Sequence, residues 1–329
     1  MDKLDYCASL LNLESVVDLP NFQFVKGDIR SLDLLHHIFY KEEVSIVMHF
    51  AAQSHVDNSF ENSFEFTRNN TEGTHAVLEA AKQAGCVSKF IHVSTDEVYG
   101  ETSFEQDKSN TEHATVLTPT NPYSATKAGA EMLVMAYGRS YGLPFIITRG
   151  NNVYGPNQYP EKAVAKFAVL ALRGDKISIH GDGLATRSYM HVDDAASAFD
   201  VILHHGNVFE VYNIGAHEER TIVSVARDIC RLTGRDPIDF ITHVRDRAFN
   251  DRRYYIDCSK LRSLGWIQEK TWETGLEETI DWYRVTDLAR YWKRYKSALV
   301  PHSGEEDSGE EDLLLSADNS KACMRALRQ

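Results

Sequence analysis

The 329-residue chain has no apolar run approaching ~20 residues and opens on polar residues, so neither a membrane-spanning helix nor a signal peptide is read from it. Basic residues are in the minority: 35 Lys and Arg face 48 Asp and Glu, for a formal net charge of -13. Phosphate backbones and anionic lipid surfaces are held mainly by clustered Lys and Arg, so this balance argues against a nucleic-acid or anionic membrane partner. Cys7, Cys86, Cys230, Cys258 and Cys323 are scattered, odd in number and without C-x-x-C or Cys/His spacing. They support no disulfide framework and no metal site, and fit a reducing cytoplasm.

What is present is enough to build one large core or two modest ones, with 43% hydrophobic and 25% charged residues. One α/β domain with a smaller companion is expected. Much of the acidity is local, since 302–312 reads H-S-G-E-E-D-S-G-E-E-D. From 301 to 329 the chain is acidic and low in complexity and reads as a disordered tail. Before it, apolar runs rich in β-branched residues alternate with helical-period segments, the pattern of a parallel sheet covered on both faces. Strands are expected at 22–25, 44–50, 89–93, 145–148, 177–180 and 211–214. Helices are expected at 31–40, 63–84, 123–141, 162–172, 193–203, 222–232 and 272–283.

In a doubly wound sheet, ligands bind at the carboxyl ends of strands. Phe50, Ala51 and Ala52 leave one such end, and Ser94, Thr95, Asp96 and Glu97 leave the next, so both point at one crevice. Tyr123 and Lys127, four apart in an expected helix, share a face. An ammonium beside a phenol favours the phenolate, so Lys127 is expected to lower the Tyr123 pKa and make it a general base.

These residues sit in S-T-D-E-V-Y-G and N-P-Y-S-A-T-K. With D-K-L-D-Y, K-G-D-I, H-F-A-A-Q-S-H-V-D, R-G-N-N-V-Y-G-P-N-Q-Y-P-E-K, Y-N-I-G and R-D-R-A-F-N-D-R-R-Y, the chain resembles the extended short-chain dehydrogenase/reductases. Within them it is similar to the nucleotide-sugar 4,6-dehydratases, whose mark is the D-E pair, and to the dehydratase domain of plant-type UDP-rhamnose synthases. The resemblance implies a doubly wound, Rossmann-type α/β fold with a smaller α/β substrate domain. An NAD-binding part would span 1–150 and 192–215, and a nucleotide-sugar part 151–191 and 216–300. It also implies a homodimer through helices 63–84 and 123–141.

The implied reaction turns UDP-glucose or dTDP-glucose into a 4-keto-6-deoxy sugar nucleotide; the nucleotide base stays open. The C5 proton is not acidic until C4 is oxidised, so a hydride acceptor is needed first, and NAD is the implied cofactor. Tyr123, with Lys127, would take the C4 hydroxyl proton while Thr95 hydrogen-bonds the C4 oxygen. Glu97 would remove the C5 proton, and Asp96, held protonated, would donate to the departing C6 hydroxyl. Asp2 would hold the adenosine ribose, and Asp28 with Ile29 the adenine. Ser94, Phe50, Ala51 and Ala52 complete the implied cofactor contacts. Ser54, His55, Thr95, Asn152, Glu161, Lys162, Arg187, Asn213 and Arg247 would line the sugar-nucleotide side. Ala248, Phe249 and Asn250 depart from the usual D-R-P-G-H-D loop.

The family also begins with a strand and a G-x-x-G-x-x-G loop that cradles the dinucleotide pyrophosphate, and these 329 residues contain neither. In the family order 3-2-1-4-5-6-7, this separates strand 22–25 from strand 44–50 by roughly 14 Å. Either the former collapses onto the latter or the latter becomes an exposed apolar edge, with weak or absent NAD binding and poor solubility expected. A related epimerase or decarboxylase, and a catalytically impaired sugar-nucleotide binder, are the alternative readings.

Overall fold

The computed structural model describes residues 1–103, 109–114, 116–246 and 250–300. Its strands are β1 (Ile46–His49), β2 (Lys89–Thr95), β3 (Phe145–Gly150), β4 (Asn152–Tyr154), β5 (Ile177–His180), β6 (Thr186–His191), β7 (Glu210–Ile214), β8 (Glu219–Thr221) and β9 (Ile241–Val244). β1, β2, β3 and β7 form a parallel sheet in that order. It is the expected doubly wound α/β arrangement.

Helices cover both faces because successive strand residues alternate sides. Phe90 and Ile147 turn to one face, where they pack with Leu78 of α4 (Gly73–Ala84) and Val134 of α5 (Pro122–Tyr141); α1 (Leu32–Lys41) adds Leu35 and Phe39. Two short helices, α2 (Val56–Glu61) and α3 (Ser63–Phe66), lead through a π-turn, Thr67–Glu72, into α4. Ile91 and Ile146 turn to the other face, against Ala198 and Ile202. Each such fully buried aliphatic or aromatic side chain contributes about 1.5–3 kcal/mol.

A second layer stands beyond the carboxyl ends of the sheet. β4, β6 and β8 form one small sheet and β5 with β9 another. α6 (Ala163–Arg173), α7 (Ile222–Leu232) and α8 (Trp272–Val285) share one core with them, including Phe167, Ile179, Ile229 and Leu276.

The strand expected at 22–25 does not form. That segment is coil, and an isolated parallel bridge pairs Asp2 with Lys26, the residue just after it. Among the described residues β1 pairs only with β2 and is the sheet edge. Of the two expected outcomes, the exposed apolar edge is realised: Ile46 is 45% and Phe50 52% exposed. No helix among the described residues is long and apolar enough to cross a membrane. The expected tail at 301–329 lies outside the described residues.

Candidate active site

A cavity of about 420 Å³ opens where β2 and β3 end, between the main sheet and the second layer. Helix α5 reaches it at its amino end. Asn121 caps that helix by accepting the Ser124 N–H (2.9 Å), Pro122 pre-sets the first turn, and Gly142 at φ +68° ends it.

β2 stops at Thr95 because its hydroxyl oxygen accepts the Glu97 N–H (3.3 Å), which turns the chain into a 3-10 turn, Asp96–Tyr99. Gly100 follows at φ +80°, where a Cβ would meet the Thr118 carbonyl oxygen at 2.4 Å. This tight exit puts two adjacent carboxylates into the cavity wall. Asp96 Oδ1 accepts from the Thr95 hydroxyl (3.2 Å) and Oδ2 from Asn151 Nδ2 (2.6 Å). Glu97 Oε2 accepts from Asn121 Nδ2 (2.9 Å). Burial, then the charge of Glu97, pushes Asp96 up to about 7. Glu97 is also raised, first by burial, against its Asn121 hydrogen bond. The like-charge effect read from the sequence is present for Asp96, but desolvation outweighs it.

Tyr123 and Lys127 are both buried, and of the two only Tyr123 lines the cavity. The phenol packs edge-on to Phe66 with ring centroids 6.3 Å apart. Lys127 Nζ donates to the Val93 carbonyl oxygen (2.5 Å). The expected lowering of the Tyr123 pKa is corrected here. Burial and then the Glu97 charge raise it, opposed by a hydrogen bond with Thr95. Burial also pushes Lys127 down to about 8, with Glu131 acting in the opposite sense. A helical i, i+4 spacing carries no information about desolvation, which is the largest effect on both groups.

Of the residues expected on the substrate side, Ser54, His55, Thr95, Asn152, Glu161, Lys162 and Arg187 line the cavity, with Ser94, Asp96, Glu97 and Tyr123. Lys162 Nζ donates to the Ser54 carbonyl oxygen, and Glu161 Oε2 accepts from the Tyr6 hydroxyl (2.7 Å). Arg187 Nη2 donates to the Asp251 carbonyl oxygen (2.8 Å), and its guanidinium lies 4.6 Å over the Tyr254 ring. Asn213 is a correction, because it is absent from the cavity lining. Its Oδ1 accepts from the Tyr99 hydroxyl (2.7 Å) and its Nδ2 donates to the carbonyls of Asn110 (3.2 Å) and Asp257 (2.9 Å). Its amide is spent on the fold. Arg247 lies outside the described residues.

The expected adenosine-side residues stand apart from the cavity. Asp2 Oδ1 accepts from the Leu4 N–H (2.6 Å), Asp28 is ion-paired with Arg30 (2.7 Å), and Ile29 packs against Gly73. Phe50, Ala51 and Ala52 follow β1 at the open sheet edge, with Phe50 stacked edge-on against Phe199 at 4.7 Å.

Several functional neighbours escape sequence reasoning. Asn151 and Asn121 each hold one of the paired carboxylates. Asn70 is also buried; its side chain accepts the Gln53 N–H (2.7 Å) and donates to the Gln53 carbonyl (2.9 Å), which fixes the loop bearing Ser54. Asp251 lines the cavity, and its Oδ2 accepts from Thr120 (2.7 Å) and from the Tyr254 hydroxyl. Only Asn121 had a legible signal, as an Asn before Pro at a helix start.

A parallel sheet whose strand end bears Ser94 and Thr95, facing a helix that bears Tyr123 and Lys127, defines an extended short-chain dehydrogenase/reductase. Within that class the chain belongs to the GDP-mannose 4,6 dehydratase family, whose model matches residues 2–279. It is 57% identical over 302 residues to a trifunctional UDP-glucose 4,6-dehydratase/UDP-4-keto-6-deoxy-D-glucose 3,5-epimerase/UDP-4-keto-L-rhamnose-reductase of Arabidopsis thaliana, covering 92% of this chain and 45% of that protein. The chain therefore spans about half the length of such relatives. It is 43% identical over 307 residues to the dTDP-D-glucose 4,6-dehydratase of Homo sapiens, covering 92% of this chain and 85% of that one. Among solved structures, it superposes on the dTDP-glucose 4,6-dehydratase of Streptomyces venezuelae with NAD and TYD bound. The TM-score is 0.84 at 37% identity, covering 89% of this chain and 88% of that one.

Proposed function

We propose that this chain dehydrates a glucose nucleotide to the 4-keto-6-deoxy sugar nucleotide with NAD, a step of rhamnose or deoxysugar formation. The observation that carries the reading is the adjacent pair Asp96 and Glu97, both raised and each gripped by its own amide, beside Thr95 and Tyr123. Elimination across C5 and C6 needs one base and one acid side by side, and epimerisation at C4 needs neither.

The nicotinamide side of the cavity suits the cofactor. The Ser94 hydroxyl is buried in the lining without a hydrogen-bond partner, ready for a polar group of the ligand. Ser94, Tyr123 and Lys127 would hold that half, and Asp2, Asp28, Ile29, Phe50, Ala51 and Ala52 the adenosine half. Bound there, NAD would supply the hydride acceptor for oxidation at C4 and the hydride source for reduction at C6. Burial holds Tyr123 as the phenol in the chain alone, so it would take the C4 hydroxyl proton only once the positive charge of bound NAD+ beside Lys127 favours the phenolate, while Thr95 hydrogen-bonds the C4 oxygen. Glu97 removes the C5 proton, and Asp96 donates its own proton to the departing C6 hydroxyl, which leaves as water; Glu97 then returns a proton to C5 as C6 receives the hydride.

Ser54, His55, Asn152, Glu161, Lys162 and Arg187 would bind the sugar nucleotide, the cations facing its diphosphate. UDP-glucose is the preferred substrate, because the relatives named for it are the more similar ones. Exposed Phe64, Met132 and Tyr141 on α3 and α5 support a homodimer through these helices. The free Cys7, Cys86, Cys230 and Cys258 suit a cytoplasmic location. The test is mass-spectrometric detection of water loss from UDP-glucose and from dTDP-glucose with added NAD+. Loss of one water from either supports the reading, and none from folded, soluble protein counts against it.

A further inference from the structure

We infer that Asn121 is the positioning residue for the base that removes the C5 proton; the inference rests on the role proposed above for Glu97. Asn121 is 7% exposed and divides its amide between two tasks. Its Oδ1 accepts the Ser124 N–H (2.9 Å) and caps α5, while its Nδ2 donates to Glu97 Oε2 (2.9 Å). Helix capping alone does not ask for an amide, since Asp or Ser supplies the same acceptor. What an amide adds is a separate N–H that reaches a second group while its oxygen caps, and here that group is Glu97. Among the described residues, no other side chain hydrogen-bonds that carboxylate.

The contact joins segments 24 residues apart in sequence, the turn after β2 and the start of α5. Tyr123 lies two residues beyond Asn121 on the same helix. One side chain thereby sets the C5 base relative to the phenol that serves C4. The neighbouring Thr120 holds Asp251 on the cavity wall in the same way (2.7 Å), so the segment ahead of α5 holds two carboxylates at consecutive positions.

Two substitutions separate positioning from capping. Asn121→Ser keeps a cap acceptor but shortens the side chain and withdraws the amide N–H that reaches Glu97, and Asn121→Asp keeps the cap and turns a like charge on Glu97. Circular dichroism should stay close to the wild-type chain in both, and so should the melting temperature of Asn121→Ser, whereas Asn121→Asp should melt lower as pH rises, because it buries a second carboxylate beside Glu97. With 13C-labelled glutamate, the NMR titration midpoint of Glu97 should move upward in both variants, further in Asn121→Asp, because a donor that favours the carboxylate is gone. A midpoint unmoved in either folded variant overturns the inference, and this titration needs no substrate. In turnover, deuterium uptake at C5 from heavy water and water loss should fall roughly tenfold to a hundredfold, with the acid limb of the pH profile displaced upward. An unchanged pH profile also overturns it. Wild-type chain that loses no water from either nucleotide counts against the dehydratase reading, and the Glu97 titration then decides the Asn121 contact by itself.

Discussion

Replacing Asp96 by Asn is expected to make the protein more stable, and increasingly so as pH rises. Asp96 is 3% exposed, and its pKa is raised from 3.8 to about 7, first by burial and then by the Glu97 charge. A carboxyl whose folded pKa is raised holds its proton more tightly when folded. Its favourable contribution is therefore complete below the unfolded value and is lost as pH rises through the folded one. Linkage between those two values gives a cost of about 2 kcal/mol at pH 5 and about 4 kcal/mol at pH 8 relative to the protonated side chain. Asn has nearly the shape of the protonated acid and no charge, so Asp96→Asn removes the pH-dependent part. The Asn151 amide can reorient to accept from the new side chain. Urea unfolding of both proteins at pH 5 and pH 8 measures the effect, and the gain should be larger at pH 8 by about 2–3 kcal/mol. A gain that is equal at the two values, or larger at pH 5, would refute the argument that burial holds Asp96 protonated. The same variant should lose water elimination, since a site that needs a destabilised acid exchanges stability for activity.

Glu97→Gln should leave C4 oxidation intact and block water loss; retained dehydration by mass spectrometry would remove Glu97 from the mechanism. Tyr123→Phe deletes the phenolic proton acceptor and should cut turnover by roughly 10²–10⁴, and a smaller change in the same assay would assign that proton to another group. Glu131→Ala breaks the fully buried pair with Arg149 (2.7 Å), whose guanidinium also stacks 4.6 Å over Tyr99 at the end of the carboxylate-bearing turn. It should cost about 3–5 kcal/mol in urea unfolding, because it strands a buried charge, and a loss below about 1 kcal/mol would mean that water reaches Arg149.

The long, strongly patterned elements could be read in advance. α5 carries its cap, its proline and its terminal glycine in order, and β5 was legible to the residue. β2 and β3 were missed only at their last residues, where they deliver the cavity wall. β6, β8 and β9 were not legible. They are short and have little apolar pattern of their own, and they exist because of distant partners, as Thr186–Ser188 pairs with 219–221. The coil at 22–25 failed for the opposite reason, since an apolar run becomes a strand only where a neighbour offers a ladder.

The same division runs through the site. Sequence alone determined which chemical groups are available and which are neighbours along the chain: the hydroxyl, acid and base at 95–97, and the phenol and ammonium one helical turn apart. Those relations follow from strand and helix periodicity, which is local. The tertiary structure decided how each group is used, because desolvation and hydrogen-bond partners come from segments far away in sequence. Asn213 and Asn121 are alike on paper. Packing turned the first into a clamp on Tyr99 and set the second against Glu97, and burial, which no spacing reveals, raised Tyr123 and Asp96 together.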